Sequence, residues 1–458
     1  MARRLLLYTL LLLGGIVFAW PFIWLVATSV KTERELFVGR NTLLPQLPRP
    51  RLTSPYVVAG EQSRRAFCLG QLRADSTDLG AEQLIGGAEA AGSWKITGPA
   101  QLMQQSNFAE VHYHFDAADT VTLSRTFTTA FPVERLRRIQ LYFQPDDTWH
   151  YLNLKVETLG RVFKAERPVY LADYNWQMQT WQEQQPVDAT RIKTWLLLRP
   201  DGSSDVRGAN ELKVTFELHR SSMLRACLAK LWRNYRLTLD YIPFWRYVGT
   251  SLFLVILNVA GALFSCSFAA YAFARLHWPG RSIAFAALLG TMMLPVQVTM
   301  IPQFLIMQKL GWYNTLKPLW VLSFFGSGFS IFLLRQFLKG VPRDLEDAAR
   351  LDGCGYAGIY WHVILPLVRP ALAVVAIFTF LATWNEFMMP LIYLNDQRLY
   401  PLSFGLYAFQ VQSLQPGTSA GIGMLMAGSL LMMLPVIAIF FFAQRYFLQG
   451  VTLTGIKG

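Results

Sequence analysis

Residues 342–370 read PRDLEDAARLDGCGYAGIYWHVILPLVRP, a charged, helix-forming segment between two long hydrophobic runs. Asp344, Glu346 and Asp347 follow Pro342, so acidic side chains occupy the first turn of a predicted helix, where the helix dipole stabilises them. Alanine and leucine continue the helix, and the glycines that follow end it or turn the chain sharply. The sequence therefore predicts a short helix closed by a tight turn.

The composition around this segment is that of a membrane protein. Hydrophobic residues make up 53% of the 458 residues and charged residues 16%. Apolar runs of ~20 residues are long enough to cross the hydrocarbon core of a bilayer as helices, and we count about six of them. The runs are residues 5–27, 248–274, 282–306, 314–335, 369–393 and 422–444. The first is longer than the ~7–15-residue apolar core of a signal peptide, so we interpret it as an uncleaved anchor.

The formal net charge of +13 is explained by where the basic residues lie. They flank the predicted spans on one side of the membrane. Lys and Arg are enriched in the cytoplasmic loops of membrane proteins, so this side is predicted to be the cytoplasm. These residues are Arg3, Arg4, Arg275, Arg281, Arg335, Lys339, Arg343, Arg350, Arg369, Arg445 and Lys457. Alternation of the spans then places both termini and residues 341–367 in the cytoplasm, and residues 32–246 and 394–421 outside it. A membrane protein with this charge pattern is not expected to bind nucleic acid.

A long insertion separates the first two predicted spans. Within residues 32–228, apolar and polar residues alternate with the period of two that is typical of half-buried strands. We predict a β-rich domain at about 93–220, of the sandwich or jelly-roll class, with the Pro-rich residues 45–55 as its entry linker. Five tryptophans of this domain offer a core or a stacking surface for sugar. They are Trp94, Trp149, Trp176, Trp181 and Trp195.

Trp176 and Trp181 are expected to be the exposed members of this set, because glutamines and asparagine surround them. Cys68 and Cys227 are the two cysteines expected outside the cytoplasm, where they either form a disulfide between the ends of the insertion or stay free. His112, His114, Asp116 and Asp119 lack a recognised metal-ligand spacing and are interpreted as surface residues. No cofactor or metal site is therefore predicted.

The segment at 342–370 resembles the EAA loop of binding-protein-dependent ABC importer permeases. That pattern is Glu-Ala-Ala, then Gly four positions after the second Ala, then Ile-x-Leu-Pro; here Asp347 replaces Glu and Val363 replaces Ile. The residues carried over as the ATPase-docking coupling segment are Glu346, Asp347, Ala348, Ala349, Asp352, Gly353, Val363, Leu365 and Pro366. Further matches to carbohydrate-importer permeases of the maltose and glycerol-phosphate branch are Asn234-Tyr235, Ala270–Arg275, Pro279–Arg281, Leu310–Thr315, Trp384–Phe387 and Gln444–Phe447.

The resemblance implies a type I importer permease fold, an α-helical membrane bundle with an inserted extracytoplasmic all-β domain. The expected organisation is a first transmembrane helix at 1–31, the insertion at 32–228, and a permease core at 229–458 with a cytoplasmic coupling loop at 341–367. The implied partners are two ABC ATPase subunits or an ATPase homodimer, a second permease, an extracytoplasmic solute-binding protein and the lipid bilayer of the inner membrane. ATP hydrolysis would lie in the partner subunits, so the chain itself is not expected to be an enzyme.

Polar side chains inside predicted spans are the candidates for the translocation pathway, because they are costly in lipid and face protein or water. They are Glu386, Asn385, Gln297 and Asn258, and Gln303 raises the same question. The alternative for each is a structural hydrogen bond to a neighbouring helix. Pro295 and Pro302 are expected to kink the third span.

Two further interpretations remain open on the sequence alone. The chain could be a membrane-anchored carbohydrate-binding or sensing protein built around the β-rich domain, although the coupling segment and later spans would then have no role. Within an importer, the insertion either docks the solute-binding protein or binds sugar directly, and we expect docking.

Overall fold

The computed structural model describes residues 2–37, 44–58, 64–78, 80–85, 91–185, 190–193, 195–413 and 421–452. The chain divides into two compact units. The N-terminal unit comprises Met1–Pro243 with Phe409–Leu430, and the C-terminal unit comprises Phe244–Ala408 with Leu431–Gly458.

The strands of the N-terminal unit are β1 Thr53–Ser54, β2 Tyr56–Val57, β3 Arg64–Arg65, β4 Phe67–Ser76, β5 Ala81–Ile85, β6 Lys95–Thr97, β7 Ala100–Gln104, β8 Ala109–His114, β9 Thr120–Thr128, β10 Leu136–Gln144, β11 Tyr151–Thr158, β12 Arg161–Ala165, β13 Val169–Tyr170, β14 Gln177–Glu183, β15 Leu196–Ser203 and β16 Glu211–His219. Fourteen of them form one sheet in the order β1-β8-β4-β10-β14-β15-β12-β11-β16-β9-β6, with β5 on β4, β7 on β8 and β13 on β11. β2 and β3 pair separately.

Alternating burial organises the long strands, as the period of two predicts. In β16, Leu212, Val214, Phe216 and Leu218 are buried, and Phe216 pairs with the equally buried Leu123 of β9. Each such strand has one apolar face turned away from water, the arrangement that a sandwich requires. The hydrogen-bonded order is nevertheless continuous, unlike that of two separate sheets, because β14 and β15 pair in parallel and join its two halves.

The sheet begins earlier in the sequence than predicted. Its first strand starts at Thr53, inside the predicted entry linker, and β4 lies between β8 and β10. The alternation was not visible there because Phe67, Cys68 and Leu69 are all buried in succession. The prediction of strands from about residue 93 was therefore too short.

Trp181 is fully buried, so the prediction that it is exposed was wrong. It lies in β14 opposite Ile139 of β10 and Leu196 of β15. Its neighbours Gln179 and Gln182 are buried as well, so polar neighbours did not indicate a surface. Trp149 is also buried, whereas Trp94, Trp176 and Trp195 are half-buried.

Cys68 and Cys227 are both free in the structure, so of the two alternatives that the sequence left open the disulfide is not the one formed.

The helices are α1 Ala2–Ser29, α2 Glu33–Phe37, α3 Met223–Tyr241, α4 Phe244–Arg275, α5 Arg281–Met292, α6 Val296–Lys309, α7 Gly328–Lys339, α8 Asp344–Leu351, α9 Tyr356–Leu367, α10 Arg369–Asn385, α11 Met388–Tyr393, α12 Leu402–Ser413 and α13 Ile422–Thr452. Short 3₁₀ turns lie at Val133–Arg135, Lys317–Leu319, Val321–Phe325 and Gln397–Leu399. Among the residues that the structure describes, four helices are long and apolar enough to cross a membrane, or up to six if each of two bent pairs is one span.

The bent pairs correct the predicted spans. α5 and α6 meet at 100°, so residues 282–306 are not one straight helix. The break lies at Pro295, as predicted, because proline lacks an N–H and excludes helical geometry from the residue before it. Pro302, in contrast, lies inside α6 without breaking it.

Two other predicted spans are also interrupted. Residues 314–335 contain 3₁₀ turns and a left-handed Gly326, with φ of +83°, before α7 begins at Gly328. α10 ends at Asn385, and the short α11 covers the rest of the predicted span 369–393. Hydropathy reports only that such a run is apolar, not whether it is straight.

Candidate docking segment and transmembrane pocket

The short helix α8 lies where the sequence predicted it. Asp344, Glu346 and Asp347 occupy its first turn, and Glu346 and Ala349 are its buried residues. The other positions of α8 are exposed, so one side of the helix packs against the rest of the C-terminal unit and the other side lies at the surface.

A Schellman motif ends α8 and explains Gly353. The N–H of Cys354 donates to the carbonyl of Ala349 at 2.9 Å, and the N–H of Gly353 donates to that of Arg350 at 3.0 Å. This pattern needs a left-handed residue, and Gly353 has φ of +86°. A Cβ at Gly353 would meet no atom within 4 Å, so the requirement is conformational and not one of space.

A buried ion pair fixes α8 to the end of α4. Nε of Arg275 lies 2.9 Å from Oε1 of Glu346, and both side chains are at most 5% exposed. Nη2 of Arg275 also donates to the carbonyls of Leu338 at 2.5 Å and Val341 at 2.6 Å. One guanidinium thus joins the end of α4, the end of α7 and the first turn of α8.

Glu346 is therefore a buried, ion-paired position of α8 and not an exposed one, and its part in docking stays a prediction. Arg275 was missed as a site residue, although the sequence offered a signal. An arginine that ends a long apolar helix must find partners if it is buried, because an unpaired buried charge is very costly.

The exposed side of α8 combines apolar and acidic side chains. Leu351 is 91% exposed and Leu345 44% exposed, and Asp347, Ala348 and Asp352 are exposed beside them. Leu351 and Leu345 were not among the predicted site residues. Exposed leucines on a short surface helix are the kind of side chains that a partner protein covers.

Val363, Leu365 and Pro366 do not belong to this exposed side. They lie in α9, which contains a π-helical turn at Ile359–Ile364. Val363 and Leu365 are half-buried and pack against a core cluster that includes Ala349 and Ile364. Val363 and Leu365 therefore contribute to the core against which α8 packs.

A cavity of about 210 Å³ lies among the helices of the C-terminal unit. Three predicted pathway residues line it: Asn258, Gln303 and Glu386. Ser323, Thr383 and Tyr393 also line it. The other two candidates do not, since Gln297 is exposed elsewhere and Asn385 donates to the carbonyl of Leu381 in its own helix.

Hydrogen bonds already occupy two of the three lining candidates. Nδ2 of Asn258 donates to the carbonyls of Leu254 and Leu319 at 2.8 and 3.0 Å, and Ser323 Oγ donates to its Oδ1. Oε1 of Glu386 accepts the N–H groups of Met388 and Met389, so it caps α11. Among the described residues, none hydrogen-bonds the half-buried side chain of Gln303.

A second cavity, of about 350 Å³, lies in the N-terminal unit beside Tyr142, Trp176 and Asp173. The two rings stack on each other with centroids 4.9 Å apart and an interplanar angle of 17°. Trp176 therefore already uses one of its ring faces within the protein.

The C-terminal unit thus combines apolar helices, a short surface helix fixed by a buried ion pair and a polar-lined cavity. Residues 261–453 match the family model described as the binding-protein-dependent transport system inner membrane component. The chain is 35% identical over 215 residues to the arabinooligosaccharides transport system permease protein AraQ of Halalkalibacterium halodurans, covering 47% of this chain and 75% of that protein. It therefore belongs to this family of inner-membrane transport components.

Other similar proteins also cover less than half of the chain. The diacetylchitobiose uptake system permease protein NgcG of Streptomyces coelicolor is 30% identical, over 44% of this chain and 66% of that protein. A crystal structure of a bacterial ABC transporter involved in the import of the acidic polysaccharide alginate is 25% identical over 47% of this chain and 79% of that one, with a TM-score of 0.42.

Proposed function

We propose that this protein is a permease subunit of an ABC importer for a sugar or sugar-like solute. Family membership carries the proposal, together with relatives named for arabinooligosaccharides and diacetylchitobiose. The carbohydrate-sensing alternative is not favoured, because the similarity lies in the part of the chain that a sensor would leave without a role.

The exposed side of α8 is the proposed docking surface for an ATPase subunit. It lies at the EAA position, and its exposed leucines and carboxylates are available to a partner. ATP binding can shift the permease only if the ATPase binds the two permease conformations with different affinity. The rigid link through Glu346 and Arg275 gives α8 a direct connection to α4 and α7, so movement of α8 moves those helices.

The proposed orientation follows the positive-inside charge pattern. α8 lies in the cytoplasm, the strands β1–β16 lie outside it, and a solute-binding protein delivers solute from that side. A second permease and two ATPase subunits complete the transporter. Attachment of an impermeant reagent to Leu351→Cys and Ser203→Cys from either side of the membrane checks this orientation.

Uptake by proteoliposomes tests the solute class. The complex purified through this chain is reconstituted with ATP inside and its solute-binding protein outside, and a panel of labelled oligosaccharides is compared with amino acids and inorganic ions. ATP-dependent accumulation of a saccharide supports the proposal. If only amino acids or only inorganic ions accumulate, that class and not sugar is the solute. If an intact complex accumulates no compound of the panel, the result argues against transport.

The cavity supplies a prediction about the pathway. Gln303→Ala is expected to lower saccharide uptake about two- to thirteenfold, because one lost hydrogen bond to solute is worth about 0.5–1.5 kcal/mol. The assay is initial uptake rate at fixed ATP, with ATPase copurification as the check on assembly. Asn385→Ala is the matched control, because Asn385 directly precedes the lining residue Glu386 in the chain but does not itself line the cavity.

Two variants of Glu386 distinguish, in the same uptake assay, a role of its charge in transport from its role in capping α11. Glu386→Gln keeps an acceptor for the N–H groups of Met388 and Met389, whereas Glu386→Ala removes it. Loss of uptake in both variants with normal folding indicates a role for the charge in transport; loss only in Glu386→Ala indicates the cap. Unchanged uptake in Gln303→Ala and in both Glu386 variants would remove this cavity from the pathway.

A further inference from the structure

Helix α3 carries its apolar side on the outside. The exposed residues are Leu224, Leu228, Leu231, Trp232 and Leu239, with exposed fractions of 78, 58, 47, 54 and 38%. Their spacing of three, four, seven and eight positions places them along one side of a helix. A surface helix of a water-soluble protein has the opposite arrangement, with its apolar side turned to the core.

The other side of α3 is polar or small and is satisfied within the N-terminal unit. Nζ of Lys230 donates to Oε1 of Glu35 and to the carbonyl of Gln46, both at 2.6 Å. Arg233 lies 3.6 Å from Asp173. Because these charged groups are paired, α3 cannot rotate its leucines inwards without breaking the buried Lys230–Glu35 pair and the partly exposed Arg233–Asp173 pair.

Two candidate membrane spans, α1 and α13, each contact α3 through one of their ends, and these contacts lie within the N-terminal unit. Nδ2 of Asn234 donates to the carbonyls of Ser29 and Lys31, both at 2.9 Å, and the hydroxyls of Tyr235 and Ser29 lie 2.7 Å apart. Oγ1 of Thr238 donates to the carbonyl of Met424 at 2.8 Å. Ser29 is the last residue of α1, and Met424 lies in the first turn of α13.

These contacts fix the depth of α3. α1 and α13 are both long and apolar enough to cross a membrane, and α3 touches the end of one and the beginning of the other. It therefore lies at the level where they leave the hydrocarbon layer. α1 is itself exposed, since its hydrophobic window has no buried residue.

We propose that α3 is an in-plane membrane-surface helix whose Leu and Trp side chains enter the boundary between phospholipid headgroups and acyl chains. Trp232 and Tyr235 are of the type enriched at this depth, and the exposed Arg236 can reach lipid phosphate. α3 then attaches the β-rich part of the N-terminal unit to the membrane surface. This inference needs only that the chain is a membrane protein and does not depend on the solute.

Spin labels on the assembled complex test the location of α3. Single cysteines replace Leu228 and Leu231 in a variant without Cys68, Cys227, Cys266 and Cys354, and the complex is reconstituted in phosphatidylcholine–phosphatidylglycerol vesicles. Collision with oxygen, which concentrates in lipid, is compared with collision with a water-soluble nickel chelate. Leu12→Cys in α1 serves as the lipid reference and Ser203→Cys in β15 as the water reference.

Spin labels at both α3 positions are expected to collide more often with oxygen than with the nickel chelate. The ratio of the two collision rates is expected to lie between the ratios measured for Leu12→Cys and Ser203→Cys. A ratio equal to that of Ser203→Cys would place α3 in water and overturn the proposal. Low collision with both reagents would mean that a second permease or a solute-binding protein covers α3, which overturns it as well.

Photolabelling of the natural sequence avoids the cysteine replacements. A phospholipid with a diazirine near its glycerol is incorporated in the vesicles, and modified peptides are mapped after illumination. Adducts are expected within residues 223–241 and not within 211–219 of β16. Adducts in α1 without any in 223–241 would contradict the proposal.

Discussion

Arg275→Met is expected to destabilise the C-terminal unit by about 3–5 kcal/mol and to abolish uptake. The change leaves Glu346 as an unpaired charge in a buried site, which is the costly way to break a buried ion pair. It also removes the donor shared by the carbonyls of Leu338 and Val341. Thermal unfolding of the purified protein in detergent and uptake by proteoliposomes measure the two effects.

Two variants separate this mechanism from a general effect of removing arginine. Arg343→Met, at an exposed position just before α8, is expected to leave stability unchanged within about 0.5 kcal/mol. The double variant Arg275→Met/Glu346→Leu is expected to be more stable than Arg275→Met, because no buried charge remains. A double variant as unstable as the sum of both single changes would show that the pair contributes no coupling.

Gly353→Pro is expected to abolish uptake and ATPase copurification while the protein still inserts in the membrane. Proline holds φ near −65° and has no N–H, whereas Gly353 has φ of +86° and donates to Arg350. The Schellman motif cannot form, so the turn that leads from α8 to α9 is lost. Immunoblots of membranes, ATPase copurification and uptake measure the three properties.

Graded changes at the same turn provide the controls. Gly353→Asn is expected to retain most activity, because asparagine tolerates the left-handed region better than other non-glycine residues. Gly355→Ala is expected to have no effect, because Gly355 has φ of −76° and open space for a Cβ. Normal uptake by Gly353→Pro would remove this turn from the docking element.

The helix α8 was predictable because its determinants are local. An acidic first turn, alanines and a glycine after the last turn fix its start, course and end within a dozen residues. The pair of Arg275 and Glu346 was not predictable, since it joins residues that are far apart in sequence and only the packing of α4 against α7 and α8 brings them together. That packing also buries Glu346.

The spans show the same division between local and long-range information. Apolar composition located the membrane-length runs, and Pro295 marked the break between α5 and α6. The left-handed Gly326 had no comparable signal, because glycine is common inside membrane helices as well. The break after Asn385 had no comparable signal either, because no proline lies at that point of the chain. In the β unit, β4 was missed because a central strand with neighbours on both sides is buried without alternation at its start.

The cavity was only partly predictable. Polar residues within apolar runs pointed to Asn258, Glu386 and Gln303, because each needs a partner in a membrane. Sequence could not show that these three share one cavity, nor that Gln297 and Asn385 lie apart from it. Those placements depend on how α4, α6 and α10 pack against one another, which no local pattern in the sequence reports.

The most direct test of the account is the reactivity of Leu351→Cys in the cysteine-free chain. An impermeant maleimide is expected to modify it only from the cytoplasmic side, and several-fold more slowly once the ATPase subunits are bound. Ser203→Cys, the matched exposed site in β15, is expected to react only from the opposite side and at the same rate with or without ATPase. Equal reactivity of Leu351→Cys with and without ATPase, or modification from the outer side, would contradict the assignment of α8 as the cytoplasmic docking helix.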